Sequence, residues 1–286
     1  YALFSISFST ISIINSYIFG IFIWKEMNKL NKKLTSYWWY KAAILFNVIS
    51  SLGSFTLSFL MASSSVNQNY YLLGVYAFLH FQYNGWFFFA CMGLLITQIE
   101  KIGTVDKKLK IIFWLFSIAC IPAYYLPVLL LSIPLMGYVI IVLAAAAQWI
   151  GWGMLLVIIY KNHAQFLRLF HKKGRWLVYL SGIALSIKLL LQLISTIPSL
   201  SHLAFGFRPV VIGYLHLMLL GVISLFLLGY IFANQLIKIG YYAKMGSIVF
   251  IIGNIVNQIL LLVQGASAMN YIGIPFINES LFIVAL

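Results

Sequence analysis

The apolar residues of this chain fall into eight long runs, near 2–24, 42–63, 70–97, 111–132, 134–160, 176–197, 209–237 and 245–266, separated by short polar or basic stretches. Hydrocarbon about 30 Å thick takes roughly 20 apolar residues to cross as a helix, and every run reaches that length. The ten-residue alternating segments of an outer-membrane barrel are absent, so the spans are predicted to be helices. The fold class is therefore all-α: a polytopic integral membrane bundle of about eight transmembrane helices. No stretch is polar enough for a soluble domain or a flexible linker, so residues 1–286 read as one bundle, and no convincing internal repeat emerges. Tyr1 opens directly onto an apolar run and the chain closes within another, SLFIVAL, a pattern that predicts truncation at one or both ends.

Composition agrees: 63% of residues are apolar and 8% charged, with a mean hydropathy of +1.02, which excludes an ordinary soluble domain. A net charge of +14 would suggest nucleic acid as partner in a soluble protein, but its distribution says otherwise. Of the 18 Lys and Arg, 16 lie in alternate connections, at 25–41, 98–110, 161–175 and 238–244. The positive-inside rule makes those connections cytoplasmic and puts the N-terminus outside. The reading is a multi-pass protein of the bacterial cytoplasmic membrane, its charge directed at membrane lipid and not at nucleic acid. Cys91 and Cys120 fall within spans and read as small packing residues.

Polar groups inside the spans are the candidates for chemistry, because an intramembrane ionisable side chain is costly. At a helical rise of 1.5 Å per residue, His80 lies roughly 15 Å from the outer end of its span, His216 roughly 11 Å and Lys188 roughly 14 Å. Three helices thus place an ionisable group in one layer of the outer half of the membrane. Helical spacing puts Tyr76, Tyr83 and Asn84 on or near the face of His80, where Asn84 or Tyr83 could orient an imidazole. The bland alternative for each histidine is a helix-to-helix hydrogen bond. Gly213 and Gly221 flank His216 and would let a ring approach closely.

The four acids, Glu26, Glu100, Asp106 and Glu279, all lie in connections or in the tail. Lys188 is therefore expected either to be neutral or to meet an anion from outside the chain. Arg208, at the outer mouth of its span, could hold a second carboxylate or serve as an interfacial anchor. Asn254, Asn257 and Gln258 share one face of the eighth span and read as interhelical hydrogen bonders. No phosphate-binding glycine loop, no HExxH, no nucleophile elbow and no carboxylate pair is present, which leaves cofactor-borne redox chemistry or transport.

Two stretches, LHFQYNGWFFFACMGL at 79–94 and RPVVIGYLHLMLLGVISLFLLGY at 208–230, together with SISFSTISIINSYIFGIFIW at 5–24, resemble polytopic bacterial membrane proteins grouped with haem-copper oxidase subunit I and the NnrS haem-copper proteins. In that group a histidine-rich helix precedes the segment with which this chain begins. The resemblance implies haem b and/or copper held by His80 and His216, with Lys188 and Arg208 toward propionates or another anion, and a role in respiratory electron transfer or nitric oxide metabolism. It also implies partners among respiratory subunits or a periplasmic electron carrier. The adjacent histidines and the H-x-H pair of true haem-copper oxidases are missing, so a full binuclear centre cannot be assembled from these residues. The competing expectation is an anion- or proton-coupled transporter using Lys188 and the two histidines.

Overall fold

The computed structural model describes residues 2–29, 34–63, 67–103, 106–130 and 133–285, and among them contains no strand. In chain order the helices are α1 (Ala2–Met27), α2 (Thr35–Ala62), α3 (Gln68–His80), α4 (Phe88–Glu100), α5 (Asp106–Ala123), α6 (Leu135–Lys161), α7 (His163–Leu169), α8 (Lys172–Ile194), α9 (Pro198–Gly206), α10 (Arg208–His216), α11 (Leu225–Ala233), α12 (Tyr241–Met269) and α13 (Ile277–Ala285). Two π-helical segments, Phe81–Phe87 and Leu217–Ser224, join α3 to α4 and α10 to α11, and a 3₁₀ turn covers Leu126–Leu130. Six helices among the described residues are long and apolar enough to cross a membrane: Ser7–Met27, Thr35–Ala62, Leu135–Lys161, Lys172–Ile194, Arg208–Ala233 and Tyr241–Met269. Their outward side chains are apolar: Phe8 is 68% exposed and Leu262 is 73% exposed, as suits hydrocarbon and not water. This is a multi-pass membrane protein.

The run at 111–132 is not one helix. Pro122 lies in the last turn of α5, which ends at Ala123, and the 3₁₀ turn follows. A proline removes one donor and clashes with the preceding turn, so the helix stops there. The run at 70–97 is helical throughout but changes pitch after His80. Lys41, grouped by sequence with a loop, lies in α2, where Nζ donates to Asn28 Oδ1 at 2.8 Å and sits 3.2 Å from the Trp24 ring centroid.

The chain divides into two compact units, residues 1–124 and 125–286. In the first, α2 packs along α3, the π segment and α4. Its core is aromatic: Trp39, fully buried, has Phe89, Phe113 and Phe116 with ring centroids at 4.9, 5.4 and 5.8 Å. Glu100, at the end of α4, ties the start of α2. Its Oε1 accepts from the Thr35 and Ser36 amides at 2.5 and 3.1 Å, and its Oε2 from Ser36 Oγ at 2.5 Å. A carboxylate there satisfies amides that have no partner within the helix and opposes the positive end of its dipole. Glu100→Ala is expected to cost about 1–3 kcal/mol, read as a lower melting temperature in detergent, with Glu100→Gln losing less.

In the second unit α8 packs along the second π segment and α11, with α10 against α12. Leu177, Leu225, Phe232 and Ile251 form a buried cluster there.

The two units carry one spacing that the sequence reading did not detect. His80, Gly85 and Gly93 stand at the same separations as His216, Gly221 and Gly229, a His-x4-Gly-x7-Gly pattern. In both units a π segment begins directly after the histidine. The glycines do not make room for a ring beside the imidazole; they seat a neighbouring helix. A Cβ on Gly85 would fall 2.7 Å from Phe46 Cβ and one on Gly93 2.6 Å from Tyr40 Cε1, both on α2. A Cβ on Gly229 would fall 2.8 Å from Leu177 Cβ, and one on Gly221 3.3 Å from Ala184 Cβ, both on α8. The pattern records one packing solution used twice.

Candidate functional site

The most completely built polar site lies within the second unit, among α6, α8 and α10. Lys188 and Gln192 are one turn apart on α8, and Lys188 Nζ donates to Gln192 Oε1 at 2.6 Å. Gln192 Nε2 donates in turn to Gln148 Oε1 on α6 at 2.8 Å. Tyr214 of α10 donates its hydroxyl to Gln192 Oε1 at 3.3 Å, and its ring centroid is 5.7 Å from Lys188 Nζ. Lys188, Gln192 and Gln148 are 3%, 3% and 5% exposed, so the chain of amides is buried in the protein. The sequence pointed to Lys188 but missed Gln148 and Gln192. A Gln four residues from an intramembrane Lys was the available signal, since that spacing places the two on one face.

His216 closes α10 and faces α12. Asn257 Nδ2 lies 2.8 Å from His216 Nδ1. The amide can donate through Nδ2 or, turned over, accept through Oδ1 from Nδ1–H. Gln258, one residue on, spans the entry to the π segment: with its amide oriented to satisfy both ends, it donates to Gly213 O at 3.2 Å and accepts from Leu217 N at 2.8 Å. The interhelical role expected of Asn257 and Gln258 is what the geometry shows. π-helical turns widen a helix and expose backbone carbonyls; Ser224 Oγ donates to Leu219 O, five residues back, at 2.9 Å. Asn254 Oδ1 is buried without a partner.

His80, in the first unit, closes α3 and meets α5. Its Nε2–H donates to Cys120 O at 2.9 Å, a carbonyl in the last turn of a helix that Pro122 helps to end. The first orienting contact for this ring is that carbonyl, while Asn84 Oδ1 is buried without a partner. Tyr83 stacks on Phe87, and Gln82 reaches α2, where its Oε1 accepts from Ser50 Oγ at 2.8 Å. Tyr76 is half-buried. Both cysteines are buried, as expected of packing residues, and Cys120 Sγ lies 3.8 Å from Asn84 O. Arg208 begins α10, exposed.

Among the described residues, no three His, Cys, Asp or Glu side chains cluster as a metal site would require. A copper ion held by several side chains is therefore not assembled within either unit from these residues. Haem asks for less: one imidazole with a free ring nitrogen and a second-shell partner on the other. His216 fits with the Asn257 amide turned so that Oδ1 accepts from Nδ1–H, which leaves Nε2 without a proton, and Nε2 bonds to no described group. His80 fits only if Nε2 leaves the Cys120 carbonyl. Lys188 is engaged by Gln192 and does not extend toward a propionate from this conformation.

No known protein family, no characterised protein and no solved structure matches this chain.

Proposed function

We propose that this is a redox-linked protein of the bacterial cytoplasmic membrane that binds haem b through His216. Eight spans, an outer N-terminus and cytoplasmic basic connections complete the reading. The observation that carries it is the 2.8 Å contact between the Asn257 amide and His216 Nδ1, which leaves Nε2 for a ligand when the amide is turned to accept from Nδ1–H. Oriented with Oδ1 toward Nδ1–H, Asn257 would set the tautomer and raise the basicity of the ring, the role such partners play for metal-bound histidines. Gln258 would hold the backbone at the step where α10 widens, fixing where the ring points. Bound haem would supply one-electron transfer or the handling of diatomic gases. The resemblance of residues 79–94 and 208–230 to haem-copper and NnrS proteins supports the same assignment, and with it respiratory subunits or a periplasmic electron carrier as partners.

The test is the optical spectrum of the purified protein, oxidised and then reduced with dithionite, with iron and copper assayed on the same sample. A sharp reduced α-band that His216→Ala abolishes is the expected result, and Asn257→Leu is expected to weaken haem retention about 10–100-fold. A featureless spectrum with no iron would end the proposal. Copper bound without haem would transfer the question to a site this unit does not assemble, and would also reject His216 as a haem ligand.

A further inference from the structure

The basic connection between α6 and α8 is tied down along its length. Phe166 and Phe170, both 2% exposed, have ring centroids 4.9 Å apart and seat α7 on the protein. Arg175 Nη1 donates to Leu167 O at 3.2 Å, and the His171 amide donates to Ala233 O, at the end of α11, at 3.0 Å. His171 Nδ1 accepts from the Lys173 amide at 3.3 Å, so the ring carries its proton on Nε2. Arg168, His171, Lys172 and Lys173 thus stand on a fixed backbone with all four side chains exposed. Their charge has no counterpart nearby in the chain, since no acid occurs between Asp106 and Glu279. The other basic connections differ: Glu26 pairs with Lys29 at 2.6 Å, and Asp106 directly precedes Lys107 and Lys108.

We infer that the junction of α7 and α8 is a docking site for an anionic phospholipid, its phosphate held by Arg168, His171 Nε2–H, Lys172 and Lys173. A phosphodiester is all acceptor on its anionic oxygens, which a guanidinium fork and an imidazole N–H can satisfy while the two ammonium groups add charge. What selects a lipid over a nucleic acid is the surface that continues from the charges. Lys172, Trp176, Tyr179, Ile183 and Ile187 recur at spacings of three and four residues, so they share one face of α8. All five are exposed, and the face passes from cation through aromatic ring to aliphatic side chain. Aromatic side chains gather at the level of lipid headgroups, and an acyl chain would continue along the isoleucines. Basic clusters of this kind at a span's end are what anionic headgroups recognise. Placing the site at the cytoplasmic leaflet rests on the topology proposed above; the docking itself requires neither that topology nor haem at His216.

The test titrates purified full chain in detergent micelles with fluorescent phosphatidylglycerol, and with phosphatidylcholine carrying the same label and acyl chains. Saturable binding that favours phosphatidylglycerol is expected. The triple variant Arg168→Gln, Lys172→Gln, Lys173→Gln is expected to bind phosphatidylglycerol on the order of 100-fold more weakly, about fivefold for each charge removed. Lys107→Gln, Lys108→Gln, Lys110→Gln removes the same charge from another connection and is expected to keep wild-type affinity. Equal binding of the two lipids by wild type would overturn the proposal, and that comparison stands even if a variant fails to fold. Equal losses in the two triple variants would also overturn it, by showing diffuse attraction in place of a site. So would displacement of the lipid by a short single-stranded DNA, which would assign the surface to nucleic acid, or by glycerophosphate alone at the lipid's own concentration, which would remove the acyl contact. Micelles present lipid to every face of the protein, so an inverted topology would leave these results unchanged.

Discussion

Gly174→Ala is expected to unseat α8 from α11. A Cβ at Gly174 would lie 2.2 Å from Ala233 N and 2.4 Å from Gly229 O, both backbone atoms that cannot swing aside. From the other helix, a Cβ at Gly229 would lie 2.9 Å from Val178 N, so the two backbones approach each other across a seam that only glycine permits. The amide of His171 donates to Ala233 O at 3.0 Å across the same junction, so a forced separation would break a backbone bond as well. Overpacking costs about 1–3 kcal/mol where side chains can adjust, and contact with backbone belongs at the upper end. For a chain of 286 residues that is a fall of roughly 5 °C in melting temperature. Gly153→Ala is the control, since nothing lies within 4 Å of its added Cβ. That variant is expected to melt at or above wild type, because alanine is the better helix former. Equal melting of Gly174→Ala and wild type would show that the seam is looser than these distances.

The second large effect is an asymmetry within the Lys188 site. Gln192→Leu removes the acceptor 2.6 Å from the ammonium, together with the donor to Gln148, while leaving the charge 3% exposed. Removing one partner of a buried charged interaction costs about 3–5 kcal/mol, largely as desolvation no longer compensated. Lys188→Met removes the charge itself and keeps an unbranched apolar chain of similar length, so it is expected to be near neutral or stabilising by up to a few kcal/mol. Denaturation of both variants in detergent, followed by Trp fluorescence, separates the outcomes. If Lys188→Met proves as destabilising as Gln192→Leu, Lys188 is a structural keystone and its charge is part of what holds α8 in place. If instead the two variants diverge, the charge is retained for something other than stability.

How far the chain could be read without its coordinates differs from residue to residue. His80, His216 and Lys188 stood out because an ionisable group in an apolar run is costly wherever the helix lands. Their partners did not. Cys120 O is a backbone atom and leaves no trace in composition, and Gln148 lies forty residues from Lys188 on another helix. Asn257 was assigned to the correct face of its span, yet nothing in the pattern said that the residue across from it is His216. The π segments were illegible for a related reason: FQYNGWF and LMLLGVIS share only a glycine, and a widened turn is chosen by what packs against it. The His-x4-Gly-x7-Gly spacing was in the sequence throughout, but three identities are too few to stand out until both glycine pairs are seen to seat a helix.

Sequence by itself determined that the chain is helical and crosses a membrane several times, because backbone groups in hydrocarbon must be satisfied internally and long apolar runs have no other stable state. It also determined which residues would be expensive to bury. Tertiary structure alone decided what relieves that expense: a carbonyl for His80, an amide for His216, and a directed chain of amides for Lys188. Helix formation depends on neighbours within a few residues and is written locally. Hydrogen-bond partners between helices depend on which faces meet, and those are set by the close packing of the bundle as a whole.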